Sequence, residues 1–431
     1  MNLLYANDRQ GEYPASWYAA TAEPLPHCPP LRGETRCDVC VVGGGFTGLS
    51  AALHLAQAGF DVALIEAHRV GFGASGRNGG QVGSGQRKGQ DELEKQYGLD
   101  DARKLWDVAE DAKSLVKSLI SQHEIDALWR DGVAHADWHD KNVPDEHAYA
   151  EHLQKHYDYD QIEPLNRDQI AALIPSGVFA GGVMDWGAGH IHPLRFALGL
   201  GRAAQQAGVR IYENTAAHRV TRGLVQTDRG RITADQIVLA TNGYHGGLNR
   251  KIAARVMPIN NYIIATEPLG PRAAEVLTKD IAVADSKFVV NYWRLSEDNR
   301  LLFGGGESYG DRFPRDIASI ARNPMLTIYP DLADVRIDFA WGGTLAITPT
   351  RMPDFARPEP GIWSASGYSG HGVALATMAG KLMADAINGD AARFDLMTKV
   401  QSPAFPGLGI ARKPLLALAM RWFALRDRLG R

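Results

Sequence analysis

Residues 37–48 read Cys-Asp-Val-Cys-Val-Val-Gly-Gly-Gly-Phe-Thr-Gly, and residues 61–66 read Asp-Val-Ala-Leu-Ile-Glu. The order is apolar strand, glycine turn, helix, second apolar strand and acidic end, as in the βαβ unit that binds dinucleotides. Gly43 permits the tight turn, Gly45 lets the backbone approach a pyrophosphate, and Gly48 lets the helix pack close to the sheet. The helix, expected over 49–58, directs unpaired N–H groups at the phosphates. The pattern predicts a dinucleotide site.

Glu66 ends the second strand, where a carboxylate can accept hydrogen bonds from ribose hydroxyls. An acidic side chain there disfavours a 2′-phosphate, which argues against NADP. A glycine turn without a ligand is the alternative interpretation, since 46 of the 431 residues are glycine. The agreement of both strands, the helix and the acidic end favours the dinucleotide.

The bulk composition excludes several classes of protein. A net charge of −3 gives no electrostatic footprint for nucleic acid, so no nucleic-acid partner is expected. No basic segment followed by an apolar run opens the chain, and no apolar run approaches the ~20 residues that span a bilayer. A soluble, cytoplasmic protein is expected.

The chain has three cysteines, and Cys37 and Cys40 form a C-x-x-C pair. Both fall on the predicted first strand, where residues three apart face opposite sides of the sheet. No second cysteine pair could complete a zinc site. We therefore expect buried small residues, with neither a redox pair nor a metal centre.

Three βα signatures, at 37–66, 232–245 and 361–388, are far apart in sequence and chemically alike, which suggests one discontinuous domain. Alternating apolar stretches at 259–266, 281–294 and 301–306 predict a separate, largely antiparallel sheet. The expected fold is α/β, with a discontinuous Rossmann-like domain and a substrate domain built on a mainly antiparallel sheet. The predicted divisions are an irregular lead-in packed on the surface over 1–36, a cofactor domain over 37–90, 190–250 and 340–395, a substrate domain over 91–189 and 251–339, and a C-terminal tail over 396–431.

Two further glycine loops specify the cofactor. Residues 71–81 read Gly-Phe-Gly-Ala-Ser-Gly-Arg-Asn-Gly-Gly-Gln, so the backbone can lie against a flat ring, and Arg77 and Asn78 can bond phosphate or flavin carbonyls. Residues 367–373 read Gly-Tyr-Ser-Gly-His-Gly-Val before a predicted helix, whose N–H groups would point at an electron-rich acceptor such as the flavin pyrimidine edge. Together with the first unit, they predict a flavin site.

This constellation resembles the D-amino-acid oxidase-like family of FAD-dependent amine oxidoreductases, which includes glycine oxidase and monomeric sarcosine oxidase. The resemblance covers roughly residues 36 to 390. Within the family the chain is most similar to the branch of bacterial γ-glutamylputrescine oxidoreductases. That likeness is carried by residues 71–81, 189–193, 292–295, 351–353, 367–373 and 425–430.

The resemblance implies that FAD accepts a hydride at N5 from the carbon next to a primary or secondary amine. The favoured reaction converts γ-glutamylputrescine to γ-glutamyl-γ-aminobutyraldehyde, ammonia and hydrogen peroxide. Oxygen or another acceptor would take the electrons. The exact amine, the acceptor and the oligomeric state stay open at this point.

Departures from the sarcosine oxidase branch carry information. The cationic side chains that bind the substrate carboxylate in that branch correspond here to the neutral residues Ala374 and Val82. The site therefore fits an amine whose carboxylate lies far from the reacting carbon better. No cysteine follows Cys40, so FAD is expected to be bound non-covalently. In that branch a lysine beside the flavin helps oxygen react, and its position is occupied here by Leu302 or Phe303. The choice between an oxidase and a dehydrogenase therefore stays open.

The candidates for the substrate pocket are aromatic residues of the interrupting sheet and one histidine, each with burial in the core as the alternative: Tyr262, Tyr292, Trp293, Trp341 and His190. His192 is interpreted either as a site residue or as a helix cap. His371 is expected at the flavin, in a packing or bonding role. The resemblance places the cofactor on Gly43, Gly45, Phe46, Thr47, Gly48, Glu66, Ala67, Gly73, Ala74, Ser75, Arg77, Asn78, Gly79, Gly80, Gln81, Val220, Thr241, Asn242, Gly243, Gly367, Ser369, Gly370, His371, Gly372 and Val373.

Residues 414–429 form an amphipathic basic pattern, read as a helix docked on its own domain rather than on a membrane. The rival functions are an N-methyl or α-amino acid oxidase or dehydrogenase of the sarcosine or glycine oxidase type, and a non-catalytic or tRNA-modification-linked flavoprotein. A nicotinamide dehydrogenase would leave both later glycine loops unexplained.

Overall fold

The computed structural model describes residues 2–406. Within them, eleven α-helices run over α1 Trp17–Thr21, α2 Phe46–Gln57, α3 Gln90–Tyr97, α4 Leu99–Gln122, α5 Val143–Tyr157, α6 Arg167–Leu173, α7 Pro193–Gln206, α8 Arg250–Arg255, α9 Ile317–Ile328, α10 Gly372–Ile387 and α11 Ala392–Lys399. The strands of this region are β1 Gly33–Val42, β2 Val62–Ile65, β3 Gln81–Val82, β4 Arg130–Asp137, β5 Ile162–Leu165, β6 Gly181–His190, β7 Arg210–Tyr212, β8 Ala217–Thr221, β9 Leu224–Thr227, β10 Gly230–Leu239, β11 Met257–Thr266, β12 Ala282–Asp285, β13 Tyr292–Leu295, β14 Leu301–Ser308, β15 Ile337–Ile347, β16 Asp354–Glu359 and β17 Ile362–Ser366.

The first sheet has the strand order β16-β17-β10-β1-β2-β7, with β9 also paired to β10 and β8 paired to β9. Strands β17, β10, β1, β2 and β7 are parallel, and β16 is antiparallel. Every residue of β2 is buried, as expected for a parallel strand covered on both faces. Helices α2 and α10 cover one face, α7 packs on α2 and α4 packs on α10, and their apolar residues share a core with Val39 and Val41 of β1.

The second sheet has the order β15-β11-β14-β13-β12-β4-β6-β3, with β5 beside β6. All of its pairings are antiparallel except β12 with β4. Helix α9 packs on one face, through Ala321 and Met325. The predicted α/β architecture with a mainly antiparallel second sheet is confirmed.

The lead-in is packed more deeply than the sequence suggested. It contains the short helix α1, and Trp17 and Tyr18 belong to the main core with exposed fractions of 1% and 0%. The expectation of a segment lying only on the surface is wrong. The physical reason is that both rings fill space beside His192 and, for Tyr18, beside Trp341 of the second sheet.

The cysteines are free and buried. The expectation that Cys37 and Cys40 face opposite sides is wrong, because both belong to the same apolar cluster. The carbonyl of Asp61 accepts hydrogen bonds from the N–H groups of both Asp38 and Val39, so the regular alternation of β1 is interrupted between the two cysteines.

The predicted domain boundaries stay a prediction, although the one at residue 340 would cut β15 of the second sheet. The predicted amphipathic segment 414–429 lies outside the described residues. Within residues 2–406, none of the helices combines the length and the apolar character that crossing a bilayer requires.

Candidate functional site

The first glycine turn joins β1 to α2 and leaves the start of that helix open. Gly43 adopts a φ of +111°, which favours glycine. A Cβ atom on Gly48 would lie 1.9 Å from the carbonyl oxygen of Gly43, so helix and turn touch through backbone alone. The Phe46 N–H donates to Ser75 Oγ at 3.0 Å, and Gly45 supplies no side-chain cap. The positive end of α2 therefore faces the second glycine loop, where a phosphate would be stabilised.

The acidic residue that ends β2 lies beside this turn. Glu66 accepts the N–H of Gly44 at 2.7 Å and the N–H of His68 at 2.9 Å. Burial raises the pKa of Glu66, although its side chain keeps accessible surface. We infer that Glu66 borders a cavity in front of the first glycine turn, because it keeps accessible surface beside that turn. Contacts of Glu66 and Ala67 with a ribose stay predictions.

The second glycine loop is held by its own polar side chains. Arg77 donates to the carbonyl oxygens of Phe72 at 2.8 Å and Gly342 at 3.1 Å. It also pairs with Asp8 of the lead-in at 3.0 Å. The Asn78 amide bonds three backbone groups within the loop. Arg77 Nη2 is buried without a hydrogen-bond partner among the described residues, and a contact of this pair with a cofactor stays a prediction.

The third glycine loop meets the other two. The Gly367 N–H donates to Asn242 Oδ1 at 2.9 Å, which joins this loop to the turn after β10. The hydroxyl groups of Tyr368 and Thr47 lie 2.7 Å apart, which joins it to α2. The structure thus brings together the predicted cofactor residues at 43–48, 241–243 and 367–373. Val220 lies on β8, which pairs with β9, and its contact with a cofactor stays a prediction.

His371 stands at the start of α10 and contacts the loop that follows β3. Its Nε2 lies 3.0 Å from the carbonyl oxygen of Gly85, and a Cβ on Gly83 would lie 2.6 Å from the imidazole. Burial, followed by the charge of Arg87, lowers the pKa of His371 to about 4. The ring is therefore neutral at neutral pH and fits a packing or hydrogen-bonding role.

This neutral histidine predicts a pH dependence of stability. Its ordinary pKa is 6.5 and its folded-state value is about 4, so the unfolded chain binds more protons between these values. Stability contributed by the neutral ring is complete above pH 6.5 and is lost as the pH falls towards 4, by up to about 3 kcal/mol. Urea unfolding at pH 7 and pH 4.5 should show a smaller acid loss in His371→Gln than in the wild type. His218→Gln, at an exposed site on β8, should behave as the wild type; an unchanged acid loss in His371→Gln would contradict the assignment.

The predicted pocket residues on β13 point to opposite faces of the second sheet, because side chains alternate along a strand. Tyr292 faces the second glycine loop: a Cβ on Gly79 would lie 2.6 Å from its ring, and one on Gly304 would lie 2.2 Å away. Its hydroxyl donates to Asn261 of β11. Burial raises the pKa of Tyr292, and its ring keeps accessible surface, so it lies on the cavity wall.

Tyr262 and Trp293 lie on the other face of the sheet. Trp293 is 1% exposed and stacks between Phe179 and Phe303 in the second core. Tyr262 is 0% exposed and packs edge-on against Phe313. Their predicted pocket role is corrected to the core alternative, because this face packs under α9 and away from the glycine loops.

Trp341 lies on the cavity side of β15 but is covered. Its indole N–H donates to the carbonyl oxygen of Arg77 at 3.0 Å, and its ring contacts Tyr18. With 2% exposure, it supports the loop rather than facing the cavity.

The two histidines at the end of β6 have separate partners. His190 is buried, with its Nε2 3.4 Å from Asp280 Oδ1. His192 Nδ1 accepts the Arg195 N–H at 3.2 Å and caps α7, which is the helix-cap alternative. The backbone of His190 pairs with Gln81 at the end of the second glycine loop, and a pocket role for its side chain stays a prediction.

The neutral positions that distinguish this chain are buried in the main core. Ala374, in the first turn of α10, is 3% exposed, and Val82 is 0% exposed. Leu302 belongs to the same core, whereas Phe303 faces the second core. Of the two positions considered for an oxygen-related lysine, Leu302 is therefore the one on the side of the glycine loops.

Three charged residues that were not predicted lie near one another, since the charges of both arginines act on the carboxylate: Arg87, Glu307 and Arg351. Glu307 and Arg351 are half-buried and Arg87 is exposed, while burial raises the pKa of Glu307. The sequence signal was the triple glycine at 304–306, which permits a bulge in β14. Among the described residues, no group of three or more His, Cys, Asp and Glu side chains is arranged to hold a metal ion.

Comparisons with known proteins agree with this geometry. The model of a family described as FAD dependent oxidoreductase, DAO, matches residues 38–386. The chain is 43% identical to a probable oxidoreductase, OrdL, of Rhizobium meliloti, over 96% of this chain and 97% of that one. It is 39% identical to the gamma-glutamylputrescine oxidoreductase of Escherichia coli, over 97% and 99% of the two chains. The crystal structure of glycine oxidase from Geobacillus kaustophilus superposes with a TM-score of 0.72 at 21% identity, over 87% of this chain and 100% of that one.

Proposed function

The chain belongs to the DAO family of FAD-dependent oxidoreductases, and from this premise we propose that it oxidises a primary or secondary amine, with γ-glutamylputrescine as the substrate. The observation that carries the proposal is the 39% identity, over nearly the full length of both chains, to a relative named for that activity. The products would be γ-glutamyl-γ-aminobutyraldehyde and ammonia, with hydrogen peroxide formed where oxygen is the acceptor.

The residues of the site fit FAD. The glycine turn at 43–48 leaves the positive end of α2 open for a diphosphate, and Glu66 stands beside it as an acceptor for ribose hydroxyls. Loops 73–81 and 367–373 offer backbone surface to a flat ring. We propose a non-covalent site, since no cysteine follows Cys40 in the sequence. When bound, FAD supplies the hydride acceptor for a carbon next to the amine.

The side chains around these loops would orient the amine and keep it neutral. Tyr292 is fixed by Gly79, Gly304 and the hydrogen bond to Asn261, so its ring can define one wall of the substrate cavity. His371 stays neutral at neutral pH and holds the loop at Gly85. A cavity wall that desolvates the amine lowers the amine pKa, which favours the neutral form needed for oxidation.

The proposal predicts the order in which amines reduce the bound flavin. The purified protein, made anaerobic, is mixed with γ-glutamylputrescine, putrescine or sarcosine while the visible flavin absorbance is followed. We expect bleaching by γ-glutamylputrescine, and slower or no bleaching by the other two. Return of the colour in air would identify oxygen as the acceptor. A flavin-containing protein that sarcosine bleaches and γ-glutamylputrescine does not would overturn the substrate proposal.

A further inference from the structure

A β-bulge turns one carboxylate of β14 into the cavity. Gly305 pairs with Tyr262 and Glu307 pairs with Asn261, so Gly306 is the extra residue. Gly306 has a φ of +73°, and a Cβ there would lie 2.3 Å from Ile320, so this bulge requires glycine. Residues directly opposite each other in a sheet share a face. The bulge therefore places Glu307 on the face of Asn261, the residue that accepts the hydroxyl of Tyr292.

Glu307 is held in place without an ion pair. Its Oε2 accepts the hydroxyl of Tyr309 at 2.9 Å. No basic side chain in residues 2–406 lies within 4.0 Å of its carboxylate. An enclosed carboxylate with one neutral donor can accept further hydrogen bonds from a cationic ligand.

Arg87 approaches the same region from the loop after β3. Its Nε donates to the carbonyl oxygen of Ser369 at 3.1 Å. Its two terminal nitrogens make no hydrogen bond or ion pair with the described part of the chain, and its side chain is accessible. The pKa of Arg87 is nevertheless lowered by burial, then by the charge of Arg351. The charge of Arg351 acts on this exposed guanidinium, so the two arginines lie in the same region.

Arg351 reaches this space from the turn after β15. It adopts a φ of +65°, and its N–H donates to the carbonyl oxygen of Thr348. The Thr348 N–H in turn donates to Ser369 Oγ, so the Arg87 side chain and the turn that carries Arg351 both contact Ser369. The Arg351 guanidinium stands 5.7 Å from the ring of Phe288 and forms no ion pair within the described residues. The charges of Arg87 and Arg351 both act on Glu307 and partly offset the effect of its burial on its pKa.

We propose that Arg87, Arg351 and Glu307 form a subsite for a zwitterionic α-amino acid group at the end of the substrate remote from the oxidised amine. The two guanidinium groups bind the carboxylate, and Glu307 binds the α-ammonium group. This inference rests on the proposed function and specifies why a γ-glutamyl amine would be chosen over the bare diamine.

The carboxylate of Glu307 distinguishes this subsite from one that binds only an anion. A site for an α-amino acid that is itself oxidised needs cations for the carboxylate and a neutral environment for the amine. Glu307 would stabilise the charged ammonium instead, which hinders oxidation at that nitrogen. A mixed site of two cations and one anion therefore suits a zwitterion that is held and left unreacted.

The test compares four amines that share the reacting end. They are γ-glutamylputrescine, which carries both charges, N-glutarylputrescine, which lacks the α-amino group, N-(4-aminobutyryl)putrescine, which lacks the carboxylate, and putrescine. For each variant, kcat/KM is measured with every amine. Binding of the non-oxidisable γ-glutamylpropylamide is measured by calorimetry, and flavin content reports folding.

Each of the three charged side chains should affect the preference between a particular pair of amines. In Arg351→Gln and Arg87→Gln, the preference for γ-glutamylputrescine over the 4-aminobutyryl amide should fall on the order of 10- to 100-fold, mainly through KM. In Glu307→Gln, the preference for γ-glutamylputrescine over the glutaryl amide should fall by a similar factor. Binding of γ-glutamylpropylamide should weaken in all three. Arg36→Gln, at an exposed ion pair with Asp235, should match the wild type.

The outcomes separate this inference from the function on which it rests. If the wild type does not oxidise γ-glutamylputrescine, the proposed function fails first. If the wild type oxidises it, and the variants with full flavin content keep both preferences, the subsite is wrong. A third outcome is that the arginine variants lose the preference for the substrate carboxylate while Glu307→Gln keeps the preference for the ammonium group. The subsite would then bind only an anion, and the proposed binding of a zwitterion would be wrong.

Discussion

Replacing Gly48 by alanine is expected to yield protein without bound FAD and to lower the free energy of unfolding by about 3 kcal/mol. The new Cβ would lie 1.9 Å from the carbonyl oxygen of Gly43 and 3.1 Å from its carbonyl carbon. No rotamer can relieve a clash between two backbone segments, so α2 must move away from the turn. The N–H groups of its first turn then leave the position in which they would bind the diphosphate. Flavin content and urea unfolding measure the two effects.

A matched control separates this clash from a general cost of replacing glycine. Gly177 lies in the segment before β6, and a Cβ there would meet no atom within 4 Å. Gly177→Ala should keep the flavin content and the urea midpoint of the wild type. A yellow Gly48→Ala protein with wild-type stability would show that the turn tolerates the displacement and would contradict the role assigned to this contact.

The turn and its helix could be predicted from sequence because their requirements are local. Glycine spacing, an apolar strand and an acidic strand end fix backbone geometry within thirty residues, and the structure joins Gly44 to Glu66 by a hydrogen bond. The same holds for the loop at 367–373, where a glycine turn opens α10. A local pattern specifies where a backbone can approach a cofactor.

The cavity walls could not be predicted in the same way because they depend on which face of a strand is covered. Tyr292 and Trp293 have similar chemistry, and only the alternation along β13 sends one to the glycine loops and the other into the second core. Glu307 reaches the cavity through a bulge at Gly306, which shifts the alternation by one residue. Strand register, set by long-range pairing, decides these positions.

The lead-in was misjudged because its role depends on a partner about two hundred residues away. Proline-rich sequence without periodicity suggests an irregular surface segment. Glu213, which follows β7, instead accepts the Cys28 N–H of the lead-in at 3.1 Å and the Val70 N–H at 2.9 Å. Its carboxylate also lies 2.8 Å from Arg69 Nε. One buried carboxylate thus ties the lead-in to the first sheet and to the segment that opens the second glycine loop.

Glu213→Gln is therefore expected to lower the free energy of unfolding by about 3–5 kcal/mol, because it leaves the Arg69 charge buried without its partner. The side chains of Glu213 and Arg69 are 0% and 6% exposed, so water cannot take the place of the lost carboxylate. Urea unfolding measures the change. Asp61→Asn, which breaks the exposed pair with Arg210, is the matched control and should cost less than about 1 kcal/mol. Replacing both partners, in Arg69→Met with Glu213→Gln, should recover part of the loss, since no unpaired charge remains and the glutamine oxygen can still accept a backbone N–H. Equal costs for Glu213→Gln and Asp61→Asn would show that the buried pair does not hold the lead-in, and that its packing rests on Trp17 and Tyr18 instead.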